Sequence, residues 1–127
     1  MELPEGMNWV EGGVVAPQGF VAAGVSAGLK KSGRRDVALV FSKCDAAGAA
    51  VFTQNTMAAP PVALGREHVA DGRLRAFVCN SGNANACTGP GGMSDAVKMA
   101  QATAAALDIA EADVLVATTI IESGIDN

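Results

Sequence analysis

The chain has 127 residues and a formal net charge of −4, which suits one domain or a large part of one and argues against a general nucleic-acid binder. Hydrophobic residues make up 50% and charged residues 17%, so a real core is expected and disorder is not. No apolar run reaches the roughly 18 residues of a membrane span, and residues 1–9 lack the basic-then-apolar form of a signal peptide, so a cytoplasmic protein without membrane contact is expected.

Aromatic residues are 4% of the chain and Tyr is absent, so the core must rest on Val, Ile, Leu and Ala. Residues 12–30 are rich in Gly and small apolar side chains, which predicts short strands with tight turns. The basic cluster Lys30, Lys31, Arg34 and Arg35 reads as a solvated turn between two strands. Residues 36–42 form a short apolar run with turn signals on both sides, a buried strand. A turn at 44–48 leads to a second expected strand at 49–53. Pro60 and Pro61 break the pattern, and residues 62–69 read as a short helix.

Asp71 and Gly72 mark a turn before another strong strand at 75–79. The clearest helix is 94–107. Ser94 is a good N-cap, and Asp95 sits where the helix dipole favours an acid. Val97, Ala100, Ala104 and Leu107 fall on one face at helical spacing. A strand at 114–117 follows. Strands, then a helix, then a strand predict an α+β layered fold.

Cys44, Cys79 and Cys87 leave an odd thiol and show no metal-ligand spacing, so reduced, buried or half-buried thiols are the default and no metal is expected. His68 is the only His and is expected on the surface of a polar helix. Cys87 has no His or Lys beside it to lower its pKa, so a structural or incidental role is expected.

The most distinctive segment is Asn80-Ser81-Gly82-Asn83-Ala84-Asn85-Ala86-Cys87-Thr88-Gly89. Asn and Gly tolerate left-handed backbone, and Asn side chains bond nearby backbone groups. Such a loop is tight and rich in donors, which suits the lining of a pocket for a polar substrate. Asn83 and Asn85 are the candidate substrate-pocket residues. The competing reading is a structural turn that packs against a neighbouring strand and touches no substrate. Both remain open on the sequence.

Residues 80–89, together with 12–20, 22–42, 49–55 and 58–69 in that order, resemble the amino-terminal part of ornithine acetyltransferases, bifunctional enzymes of arginine biosynthesis. The resemblance covers about residues 12–117, within a single, incomplete domain spanning 1–127, and 118–127 depart from it. It implies a partial α-β-β-α layered sandwich of the ornithine acetyltransferase type. It also implies transfer of an acetyl group from N-acetylornithine, or from acetyl-CoA as a substrate, to glutamate, with no cofactor. In that family the precursor cuts itself before a Thr, and the freed amino-terminal Thr of the second chain carries the acetyl group. A hydroxyl with a neighbouring amine as base is an activated nucleophile, and a covalent acyl-enzyme divides one hard step into two.

The resembled nucleophile half lies beyond residue 127, so this chain alone is expected to be inactive. A second chain of the same family is expected as partner, within an oligomer. The tetrahedral intermediate needs an oxyanion hole, which the family builds from a Thr-Gly pair after a Val-Leu-Val-Ala strand. Here Val114-Leu115-Val116-Ala117 is followed by Thr118-Thr119-Ile120. Thr119 aligns with the family Thr and is the candidate oxyanion-hole residue. Ile120 stands where the family has Gly, and a β-branched residue fits poorly where backbone must approach a ligand.

Residues 111–127 also resemble a motif of the helicase-like transcription-repair coupling factors. That tail has no phosphate loop of the GxxxxGK[ST] form and no acidic metal box. The alternatives to an acetyltransferase portion are therefore a non-catalytic module or a chimeric fragment with a helicase-like tail.

Overall fold

A computed structural model describes residues 1–119. Strand β1 (Phe20–Val25) pairs antiparallel with β2 (Val37–Ser42), from Phe20 opposite Ser42 to Val25 opposite Val37. The basic cluster lies in the turn between them, with Lys31, Arg34 and Arg35 exposed as expected but Lys30 buried. Strand β3 (Ala76–Ser81) pairs antiparallel with β2, and β4 (Val114–Thr119) lies parallel to β3. The sheet order is β1-β2-β3-β4. Parallel neighbours need a long crossover, and here a helix at Pro90–Leu107 provides it. Together these elements make the expected α+β layer.

A shorter helix, α1 (Pro60–Val69), precedes β3, and the crossover helix is α2. The packing follows from residue size. Ala96, Ala100 and Ala104 are buried on α2, and they form one core cluster with Ala76, Val78, Val114, Val116 and Leu64. Alanines at that spacing present a narrow, nearly flat helix face, so the backbone can lie close on the sheet. Strand alternation then sorts the sheet: Ala76, Val78 and Asn80 are buried, while Phe77, between the first two, is 38% exposed. Val97 and Leu107 border the core rather than centre it.

Pro60 and Pro61 start α1 rather than precede it, because their missing N–H groups cost nothing in a first turn and their φ is preset. Gly65 of this helix faces Phe52 and Leu115, where an added Cβ would lie 2.9 Å from Phe52 Cε1 and 3.1 Å from Leu115 Cδ1.

Further expectations need correction. His68 is buried, not on the surface, and its Nδ1 lies 2.7 Å from Val114 O. A polar-looking helix sequence hid that its His faces the sheet. Ser94 is not the N-cap: α2 starts at Pro90, with Gly89 as N-cap, because proline at the first helical position extends the helix backward. Residues 49–53 form no strand. The turn before them makes an isolated bridge, Ala47 to Arg73, but 49–53 join no ladder, and an apolar run becomes a strand only where it pairs with a neighbour. Phe52 instead packs at Gly65 beneath the Arg66 guanidinium, 5.6 Å from the ring centroid.

Candidate functional site

The Asn-rich loop leaves the end of β3, passes the end of β4 and enters α2. The carboxyl ends of parallel strands, where two neighbouring chains diverge, are the usual binding crevice of such layers. The loop's polar groups are spent largely on holding that crevice in shape. Asn80 Nδ2 donates to Asn83 O at 2.9 Å. The Asn85 backbone N–H donates to Thr118 Oγ1 at 2.8 Å, and Asn85 Nδ2 donates to Gly92 O at 2.6 Å. Thr88 Oγ1 donates to Asn85 Oδ1 at 2.5 Å. Both ends of the Asn85 amide are thus engaged within the protein.

Two backbone features make this possible. Cys87 has φ of 55°, a left-handed turn that non-glycine residues adopt rarely. Gly92 lies so close to the loop that an added Cβ would overlap Thr88 Oγ1 and sit 2.6 Å from Asn85 Oδ1. Neither Gly92 nor Thr118 stands out as a site residue from the sequence alone. The run Gly89-Pro90-Gly91-Gly92 was the available signal for the first: a proline helix start followed by glycine marks backbone that something must approach.

The loop before β2 is held from below. The Asp36 carboxylate accepts from the backbone N–H groups of Ala27 and Leu29, each at 2.6 Å, and of Lys30 at 3.0 Å. The bonds from Ala27 and Lys30 hold its carboxyl below the usual 3.8, against the opposing effect of desolvation. Asp36 O also accepts from the Ser81 N–H at 2.8 Å, so one residue ties the β1–β2 turn to the start of the Asn-rich loop. There Gly82, at φ of 90°, lies against the Lys30 side chain.

Between the sheet, α2 and these two loops is a cavity of about 420 Å³. Leu29, Val37 and Met99 supply apolar lining, and Asn83, Asn85 and Thr118 supply polar lining. Asn83 and Asn85 are therefore brought together at one cavity. Thr119 is not among its lining residues. It sits one residue beyond Thr118 at the end of β4, paired in register with Ser81, and by strand alternation it belongs to the opposite face of the sheet. Ile120 and the helicase-like remainder of the tail lie outside the described residues.

Cys44 and Cys87 are exposed, contrary to the expectation of buried thiols, and Cys79 is half-buried with its thiol pushed up by desolvation. Among the described residues no three His, Cys, Asp or Glu side chains converge as metal ligands, and no helix is long and apolar enough to cross a membrane.

The ArgJ family model matches residues 21–124. The chain belongs to the ArgJ family. The arginine biosynthesis bifunctional protein ArgJ of Symbiobacterium thermophilum is 52% identical over 105 residues, which are 81% of this chain and 26% of that protein. The same-named protein of Caldanaerobacter subterraneus is 49% identical over 113 residues, 89% of this chain and 28% of that one. The chain thus spans about a quarter of the length of the curated relatives it matches. Among solved structures, the ornithine acetyltransferase of Mycobacterium tuberculosis complexed with ornithine superposes with a TM-score of 0.81 at 48% identity. The match covers 87% of this chain and 61% of that one. The ArgJ protein of Bacillus halodurans gives 0.82 at 37% identity, over 88% and 59%. The fold of this ArgJ-family chain is accordingly that of the ornithine acetyltransferases.

Proposed function

We propose that this chain supplies the amino-terminal portion of an acetyltransferase that moves an acetyl group from N-acetylornithine to glutamate in arginine biosynthesis. The observation that carries this reading is the 48% identity, at a TM-score of 0.81, to an ornithine acetyltransferase crystallised with ornithine. The rest of the relatives' length would bring the nucleophile and pack as a second chain on the open face of the sheet, where Phe77 is half-exposed. Exposed apolar area on one face of a sheet is surface that a partner layer covers.

In this reading the nucleophilic Thr hydroxyl of the second chain attacks the acetyl carbonyl and its amine takes the proton. The carbonyl oxygen becomes an oxyanion. Ornithine leaves as the amine, and the acetyl ester is then attacked by the amino group of glutamate, which regenerates the hydroxyl. Thr119 is assigned one donor of the oxyanion hole. Asn83 lines the neighbouring cavity and is assigned to the substrate side, and Asn85 to holding the loop that bears it.

The test joins residues 1–119 to the remaining part of the M. tuberculosis relative and measures acetyl transfer from N-acetylornithine to glutamate, with acetyl-CoA as an alternative donor in a parallel assay. Turnover is expected in the joined protein and none in the 127-residue chain alone. Thr119→Ala in the joined protein should lower kcat by about 10² to 10³. A joined protein that folds and transfers no acetyl group from either donor overturns the reading.

A further inference from the structure

The resembled motif draws attention to Thr119, yet the loop grips its neighbour. Thr118 Oγ1 accepts the Asn85 N–H at 2.8 Å, and Asn85 passes the connection on through Nδ2 to Gly92 O at the first turn of α2. Thr88 closes the arrangement by donating to Asn85 Oδ1. A strand end is ordinarily the least restrained part of a sheet, because its ladder stops there. Among the described residues the last ladder pair of β3 and β4 is Ser81 with Thr119. The Thr118 hydroxyl therefore anchors β4 next to its final pair, and it is bonded to a loop that is itself fixed to a helix start.

We propose that Thr118 is a positioning residue: its bond to Asn85 holds the end of β4, and with it Thr119, in the orientation the oxyanion hole requires. This rests on the acetyl-transfer reading above. An oxyanion donor must meet its acceptor within a few tenths of an ångström, and a misplacement near 1 Å costs on the order of 10²-fold in rate. Thr118 also lines the cavity that bears Asn83, but its hydroxyl is engaged by the Asn85 N–H, so its removal acts chiefly through the strand end and the larger effect falls on kcat. Gly92 is part of the same device, since only a residue without Cβ lets Asn85 and Thr88 reach the helix.

Two measurements test the proposal. In the 127-residue chain, amide hydrogen exchange is followed at Asn85 and Thr119. Thr118→Val removes the acceptor at nearly constant shape and should speed exchange at both positions, while Thr118→Ser should recover most of the protection. In the joined protein, Thr118→Val should lower kcat about 10- to 100-fold with KM little changed, and Thr118→Ser should restore most of that loss. Thr88→Val acts at the far end of the chain of bonds and should lower kcat in the same direction by less, and it decides the matter if Thr118→Val does not fold. An active joined protein whose kcat is indifferent to both Val substitutions overturns the positioning role and leaves the acetyl-transfer reading standing. An inactive unsubstituted joined protein overturns both.

Discussion

His68 Nδ1 and Val114 O lie 2.7 Å apart, joining the last turn of α1 to the first residue of β4 across 46 positions of sequence. A carbonyl oxygen only accepts, so Nδ1–H is the donor of this bond. Val114 is fully buried and His68 nearly so. Replacing His68 by Phe keeps a ring in the space and removes the donor. The buried carbonyl is then left without its partner, at a cost of about 1–3 kcal/mol. Denaturant unfolding of His68→Phe should show that loss. A midpoint equal to that of the parent chain would mean that the bond contributes nothing net.

Asp36 makes stability depend on acid. Its folded pKa lies below the usual 3.8 because backbone N–H groups, those of Ala27 and Lys30 foremost, bond the ionised form. A carboxyl depressed in the folded state contributes stability that is complete above its unfolded pKa, near about 4. That contribution is lost as pH falls through the folded value. Thermal melts of the parent chain from about pH 6 down to about pH 2 should therefore show a decline that Asp36→Asn lacks. Asp36→Asn should also melt lower than the parent at about pH 6, since an amide oxygen is a weaker acceptor. Parallel pH profiles for the two proteins would remove Asp36 as a source of acid sensitivity.

Gly92→Ala should destabilise the Asn-rich loop. Its new methyl would overlap Thr88 Oγ1 and meet Asn85 Oδ1 at 2.6 Å, and overpacking of this kind costs about 1–3 kcal/mol. Thr88 is exposed and can be removed in turn. In Gly92→Ala/Thr88→Ala the nearer clash is gone, so the double variant should be more stable than the sum of the two single losses. Strict additivity in chemical unfolding would show that the two side chains do not compete for this space.

Ala100→Leu should lift α2 from the sheet. Ala100 is 0% exposed within the core cluster, so the added atoms have no space to enter. The expected loss is about 1–3 kcal/mol, with increased dye binding if the helix separates from the sheet. Ala105→Leu, on the exposed side of the same helix, is the control and should change stability by less than about 0.5 kcal/mol. Equal losses at the two positions in urea unfolding would show that the fit of α2 on the sheet does not depend on alanine at its buried face.

The elements that read clearly from sequence are those whose information is local. Strands β2, β3 and β4 are short apolar runs bounded by turn residues, and α2 carries small and apolar residues at helical spacing; burial selects β3, β4 and α2, whereas β2, expected to be buried, is only half-buried with Ser42 its one buried residue. The Asn-rich loop also announced itself, because Asn and Gly are chosen for backbone that other residues avoid. The order of motifs along the chain carried the family and therefore the fold. What tertiary structure decided was which of these groups meet. The bond from Asn85 to Thr118 spans 33 positions, and the one from His68 to Val114 spans 46. Neither has a local signature, since a hydrogen bond depends on where two elements are brought and not on the residues beside each partner. The same reason explains residues 49–53. Their composition favours a strand, but a strand exists only where a segment pairs with a neighbour, and 49–53 pair with none.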